Sequence, residues 1–140
     1  MIQNVTQANR IVVKVGTSTL AHKTGLMNIQ RMERLVKVLA DLKNSGKEII
    51  LVSSGAIGVG VGKMGLKEKP TDTPAKQACA AIGQCELMYC YDKYFSEYNH
   101  SVAQVLLTRD IIDSPERKQN VVNTFQNLLH YGVVPVVNEN

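Results

Sequence analysis

The sequence predicts an α/β fold built around a mainly parallel sheet. Apolar runs rich in Val and Ile alternate with segments whose apolar residues recur at helical spacing, in the order β-α-β-α-α-β-α-β. Strands that are apolar throughout are typical of a parallel sheet covered by helices on both faces. No run approaches the roughly 20 apolar residues of a membrane span, so we expect no membrane association.

Each element is placed by its apolar spacing and its flanking residues. Asn28 is a predicted helix cap, and Gly46 suits the left-handed residue that ends the same helix. Ser114 followed by Pro115 is a typical helix start, and Gly132 ends that helix. The predicted strands are 10–15, 49–53, 102–107 and 133–137, and the predicted helices are 28–44, 75–98 and 114–132. A polar turn at 16–19, a Gly-rich helical segment after residue 55 and a loop at 67–74 connect them.

The composition limits the class of protein. With 140 residues, 44% hydrophobic and 20% charged, the chain is one globular domain or part of one. Its net charge of +4 suits anionic ligands such as nucleotides, whereas 5% aromatic residues without Trp argue against nucleic acid binding. Three cysteines make no disulfide framework, and residues 1–9 contain no apolar signal segment. We therefore expect a cytoplasmic protein with free thiols.

Three polar segments each follow a predicted strand. Ligands of parallel α/β sheets bind beyond the carboxyl ends of the strands, where these segments are expected to meet. The segments are Gly16, Thr17 and Ser18, then Ser54 and Gly55, and finally Asn138, Glu139 and Asn140. Their convergence is the main physical indication of a site.

The residue types in these segments favour an anionic ligand. Lys14 lies one residue before the end of an apolar strand, where an unpaired ammonium group is costly to bury. Beside Gly16 and two hydroxyl residues, a phosphate is a suitable partner for it. Ser54 and Gly55 open a helix, whose first N–H groups attract anions. Simpler alternatives are a lysine extending from an edge strand and a serine that only caps the helix.

Several well-defined sequence motifs of other protein classes are incomplete or wrongly placed in this chain. Gly60–Gly65 fits G-x-G-x-x-G but begins well beyond the strand end, which argues against a dinucleotide site. Ile57 occupies the position of the first P-loop glycine, and Val52 that of the first glycine of a nucleophile elbow. Cys79, Cys85 and Cys90 fall on different faces of one helix, which excludes a zinc site formed by that helix alone.

Taken together, the motifs resemble those of the amino acid kinase family, and within it the members that phosphorylate glutamate. The resemblance covers nearly the whole chain, in order and with the family's spacing. The matching segments are VKVGTS (13–18), VSSGAI (52–57), KQACAAIGQ (76–84), LLTR (106–109), VNT (122–124) and PVVNEN (135–140).

The resemblance implies an αβα sandwich and ATP-dependent phosphorylation of the γ-carboxylate of L-glutamate, the first step of proline synthesis. It implies that residues 1–140 are the N-terminal, glutamate-binding part of a kinase domain, and that the nucleotide-binding part is absent from this chain. Mg²⁺ is expected to arrive with ATP and to have no protein contacts in this chain. A homo-oligomer and feedback by proline are also implied.

The resemblance also assigns roles to individual residues. Lys14 is implied as the catalytic residue that stabilises charge on the transferred phosphoryl group. The implied ATP- and phosphate-binding residues are Lys14, Gly16, Thr17, Ser18 and Gly55. The implied glutamate-binding residues are Ser54, Gly55, Ala56, Asn138 and Glu139.

Two other hypotheses for the function remain open. The chain could be a non-catalytic half domain that binds an amino acid or a partner chain, since the ATP-binding part is expected to be missing. A serine hydrolase or dinucleotide enzyme on a doubly wound sheet has little support, because the motifs that it requires are incomplete.

Overall fold

The computed structural model describes residues 6–139, apart from the side chains of Thr17 and Glu139. The described part contains four strands and six helices. The strands are β1 (Arg10–Val15), β2 (Glu48–Ser53), β3 (Val102–Leu107) and β4 (Val134–Glu139). The helices are α1 (Thr17–Leu20), α2 (Ile29–Asn44), α3 (Ala56–Met64), α4 (Thr73–Ser96), α5 (Arg109–Asp113) and α6 (Pro115–His130).

The four strands form one parallel sheet in the order β1-β2-β4-β3. The predicted α/β class is confirmed. The pairing places Val15 opposite Ser53, and Ser53 opposite Asn138. Because parallel strands point the same way, the polar segments that follow them share one edge of the sheet.

Local capping chemistry sets the ends of the helices. Asn28 caps α2 by accepting a hydrogen bond from the Arg31 N–H at 3.2 Å, and Gly46 beyond this helix has φ of +103°. Ser114 caps α6 by accepting from the Arg117 N–H. Both predicted starts are confirmed. Helix α4 begins two residues earlier than predicted, because Asp72 accepts from the Ala75 N–H at 3.2 Å.

Three local predictions need correction. The predicted turn at 16–19 is the single-turn helix α1, and a second short helix, α5, follows β3. Strand β4 extends two residues beyond its predicted end and contains Pro135 although it lies inside the sheet. Pairing with β2 begins only at Val136, so the missing proline N–H breaks no bond of that ladder.

One face of the sheet is well covered. Ile49, Leu51, Val134 and Val136 are almost completely buried there against side chains of α2 and α4. The alternate residues point to the other face, where Val12 on β1 is 61% exposed. The expectation of a sheet covered on both faces therefore holds near β2 and β4. It fails at the edge strands, because Leu106 on β3, in register with Asn138, is 55% exposed on the first face and Val12 is exposed on the other.

Helices α3 and α4 touch backbone to backbone. A Cβ placed on Gly83 would lie 1.7 Å from the Ala56 carbonyl oxygen, and one on Gly60 would lie 1.9 Å from the Cys79 carbonyl oxygen. No side chain fits in either place. Of the G-x-G-x-x-G match, Gly60 and Gly62 thus lie in α3 and Gly65 is its C-cap, and Gly60 packs the helix against α4.

A buried polar contact joins α4 to the end of β2. The Ser53 hydroxyl lies 2.9 Å from the Tyr91 hydroxyl, and these residues are 3% and 0% exposed. Burial raises the pKa of Tyr91 from 10.0 to about 12, against the opposing effect of the Ser53 hydrogen bond.

We predict that Gly83→Ala destabilises the protein by about 3 kcal/mol, since the new methyl group collides with backbone that cannot rotate away. The measurement is the free energy of unfolding from urea denaturation. Gly65→Ala is the control, because that site is spatially open and has only the cost of φ +67°, about 1 kcal/mol. Equal losses in the two variants would contradict the close contact.

The raised pKa of Tyr91 also predicts that the folded protein loses stability at alkaline pH. Its phenol is protonated in both states below pH 10, ionises first in the unfolded chain, and ionises in the folded chain near pH 12. Stability should therefore fall between these values, by about 3 kcal/mol. When the free energy of unfolding is measured against pH, the Tyr91→Phe variant should not show this decrease. Parallel curves for the two proteins would show that Tyr91 is not shifted.

Candidate active site at the carboxyl end of the sheet

The structure brings the three polar segments to one edge of the sheet. Strand β2 lies between β1 and β4, so the segment after β2 is next to the other two. The Ser54 N–H and hydroxyl both donate to the Val15 carbonyl oxygen, at 3.0 and 3.3 Å. A Cβ on Gly16 would lie 3.7 Å from Ser54 Oγ, an ordinary contact distance. The first two segments are therefore in direct contact.

A cationic side chain, that of Lys14, lies two residues before the first segment. Lys14 is exposed and lies opposite Val52 on β2, on the sheet face away from Ser53. Gly16 is followed by α1, in which the Thr19 N–H donates to the Gly16 carbonyl at 3.1 Å. Ser18 is exposed, and its carbonyl accepts from Arg31 at 3.3 Å.

The second segment is a sharp turn that requires glycine. Gly55 is the N-cap of α3 with φ of +95°, a conformation that side chains disfavour. No side chain caps this helix, so the alternative in which Ser54 is only a cap is wrong. Ala56 begins α3 and is buried. The first N–H groups of α3 have no partners within the helix and face the edge of the sheet.

The third segment, at the end of β4, is partly buried. Asn138 is 7% exposed, and its Oδ1 accepts no hydrogen bond. Glu139 ends β4, and its backbone pairs with Leu107. Asn140 lies outside the described residues.

A fourth strand end also reaches this edge. A cleft of about 500 Å³ opens there, lined by residues of β2, β3, β4 and α5. Thr108 and Arg109 line it, and the Thr108 hydroxyl donates to Asp110. This bond, with Arg117 2.9 Å away, holds the pKa of Asp110 below its usual value. Thr108 and Arg109 belong to a segment that matches the family, but residues 108–110 were not among the predicted site residues, although they too are polar and follow a strand.

A second cavity, of about 380 Å³, lies away from this edge, between α2, α3 and α4. Lys63 donates to Glu86 at its wall, which raises the pKa of Lys63. Burial, and then the charge of Glu86, raise the pKa of the Cys90 thiol. Cys79 and Cys90 are buried and Cys85 is exposed. The prediction of three different helix faces is wrong for Cys79 and Cys90, because eleven residues are about three helical turns and place both on the buried face. Only Cys85 lies on another face.

Neither a metal cluster nor a membrane helix is found in the described part of the chain. Within residues 6–139, no three His, Cys, Asp or Glu side chains are grouped so that they could hold a metal ion. In that same range no helix is long and apolar enough to cross a membrane.

Sequence comparisons agree on one group of relatives. The chain is 58% identical over 133 residues to the glutamate 5-kinase of Clostridium perfringens, covering 95% of this chain and 49% of that protein. It is 53% identical over 140 residues to the glutamate 5-kinase of Listeria welshimeri and 54% identical over 140 residues to that of Enterococcus faecalis. These matches cover all of this chain and 51% and 52% of the relatives. The chain thus spans about half the length of these relatives.

Solved structures share the fold at low sequence identity. The isopentenyl phosphate kinase of T. acidophilum, in a product complex, matches with a TM-score of 0.58 at 17% identity, over 90% of this chain and 53% of that one. Another isopentenyl phosphate kinase structure matches with a TM-score of 0.61 at 14% identity, over 94% and 57%. The sequence model described as the amino acid kinase family matches residues 9–140, and the chain belongs to that family.

Proposed function

We propose that this chain is the acceptor-binding part of an enzyme that phosphorylates the γ-carboxylate of L-glutamate with ATP, the first step of proline synthesis. The observation that carries the proposal is the position of Lys14 beside two touching, N–H-rich turns at one sheet edge. Relatives named glutamate 5-kinase, 52–58% identical over nearly all of this chain, support the choice of substrate.

Lys14 has the role of stabilising charge on the transferred phosphoryl group. It shares its sheet face with Val52 and Val137, which line the 500 Å³ cleft. Its position on an edge strand permits the exposed ammonium group to extend past the end of the sheet. The phosphate-binding residues we propose beside it are Gly16, Thr17, Ser18 and Gly55.

The glutamate site lies on the other side of the turn. The residues we propose for it are Ser54, Gly55, Ala56, Asn138 and Glu139. Left-handed Gly55 directs the first N–H groups of α3 to the edge, where they suit a carboxylate. The Ser54 hydroxyl can rotate from the Val15 carbonyl to donate to substrate.

The chemistry needs no general base. A γ-carboxylate is ionised at neutral pH, so its oxygen can attack the γ-phosphorus of ATP directly. The new O–P bond forms as the bond to the ADP oxygen breaks, and the products are an acyl phosphate and ADP. Positioning and positive charge provide most of the catalysis of such transfers.

Apart from the proposed phosphate contacts, we assign most of the ATP-binding site to a part of the protein outside residues 1–140, because these relatives are about twice as long as this chain. Mg²⁺ would arrive with ATP, and the described residues contribute no cluster to hold it. We further propose a homo-oligomer in the cytoplasm, with proline as a feedback ligand. A half domain that only binds an amino acid is the second candidate, favoured by the same difference in length.

The first test is formation of γ-glutamyl hydroxamate from ATP, glutamate and hydroxylamine by the 140-residue chain, with aspartate as control. Glutamate-specific product would mean that a nucleotide site assembles from this chain alone. If no product forms, the chain is titrated with glutamate and with ATP. Binding of glutamate without ATP is expected of both candidates and favours the half domain that only binds an amino acid unless the protein at its natural length forms the product. Binding of neither ligand contradicts both candidates.

We predict that Lys14→Ala lowers glutamate-dependent turnover of the protein at its natural length by about a hundredfold to a thousandfold, the range seen when one transition-state contact is removed. Steady-state kinetics give kcat and KM for both substrates. Lys118→Ala, which removes an exposed lysine from α6, is the matched control. Near-normal turnover in Lys14→Ala would remove Lys14 from the mechanism.

A further inference from the structure

Helix α4 contacts the chain on both sides of the turn that opens α3. Before the turn, the Tyr91 hydroxyl lies 2.9 Å from the hydroxyl of Ser53, the last residue of β2. After the turn, Gly83 lies so close to Ala56 that a Cβ on Gly83 would be 1.7 Å from the Ala56 carbonyl oxygen. Residues 54–55 form the turn between these two contacts, so one helix holds both of its ends.

The two contacts have a fixed separation on α4. Gly83, Leu87 and Tyr91 recur every four residues and form one buried ridge of the helix. Eight residues separate the first from the last, which is about 12 Å along the helix axis. Because a regular α-helix keeps this rise, α4 acts as a template for the distance between the end of β2 and the start of α3.

The hydroxyl contact is a polar one at the border of the apolar core. Tyr91 belongs to that core, and both it and Ser53 are almost completely buried. A Phe and an Ala would fill the same space without polar atoms to satisfy, at little or no cost in stability. The two hydroxyl groups add a defined distance and direction between α4 and the end of β2, since a hydrogen bond is directional and apolar burial is not.

We propose that Tyr91 is a positioning residue for the glutamate site, and that its hydrogen bond with Ser53 aims the first N–H groups of α3 at the acceptor. This inference rests on the proposed function and adds to it a residue that does not itself touch substrate. Gly55 alone joins Ser54 to α3, so a shift at Ser53 is passed on to those N–H groups. Misplacing a binding group by about 1 Å can cost an enzyme about a hundredfold in rate.

The test is the Tyr91→Phe variant of the protein at its natural length, which loses the hydroxyl and keeps the ring. Its KM for glutamate should rise by about tenfold, as when one hydrogen bond to a carboxylate is lost. Its KM for ATP should not change, because most of the nucleotide site is assigned elsewhere. A purely structural role predicts a different result, since loss of folded protein lowers the apparent kcat and leaves both KM values unchanged.

Tyr94→Phe is the matched control, because Tyr94 is a buried tyrosine of the same helix that lines the cavity away from the sheet edge. Both of its KM values should equal those of the wild-type protein.

A double variant separates positioning from stability. Tyr91→Phe alone leaves the Ser53 hydroxyl buried without its partner, which lowers the free energy of unfolding. Adding Ser53→Ala removes that hydroxyl, so the double variant should recover stability in urea denaturation and still show the raised KM for glutamate. The inference is wrong if the KM for glutamate is unchanged in Tyr91→Phe, or if it returns to the wild-type value together with stability in the double variant. If the wild-type protein does not phosphorylate glutamate, the proposed function fails and this inference fails with it.

Discussion

The parallel pairing of β1, β2 and β4 is the constraint on which the candidate site depends. It sets Val15, Ser53 and Asn138 in one row, with the turns that follow them side by side. The contact of Ser54 with the Val15 carbonyl then locks the first two turns together. A slip of one residue between these strands would turn Ser53 to the opposite face and break its contact with Tyr91.

The second constraint is the close approach of α3 and α4. Gly60 and Gly83 allow backbone contact, and this contact sets how far α4 lies from the turn at Gly55. Tyr91 reaches the end of β2 from the helix that this contact positions. Gly60, in the glycine-rich stretch, therefore acts in the packing of α3 against α4.

The described residues contain both paired and unpaired buried polar groups. Ser53 and Tyr91 satisfy each other, whereas Asn138 Oδ1 and Gln84 Oε1 are unsatisfied. An apolar residue of similar size at either amide position would fold at least as well by this criterion.

The sequence by itself determined what depends on neighbours along the chain. Strand β3 and the starts of α2 and α6 were predicted to the residue, because a cap such as Asn28 or Ser114 acts within three residues of itself. The polar ends of β1, β2 and β4 were visible for the same reason. Tertiary structure decided the strand order, which inserts β4 between β2 and β3, and hence that Asn138 lies beside Ser53. It also decided that Gly83 meets Ala56 and that Tyr91 meets Ser53, because these partners are more than 25 residues distant in sequence and no local pattern records such contacts.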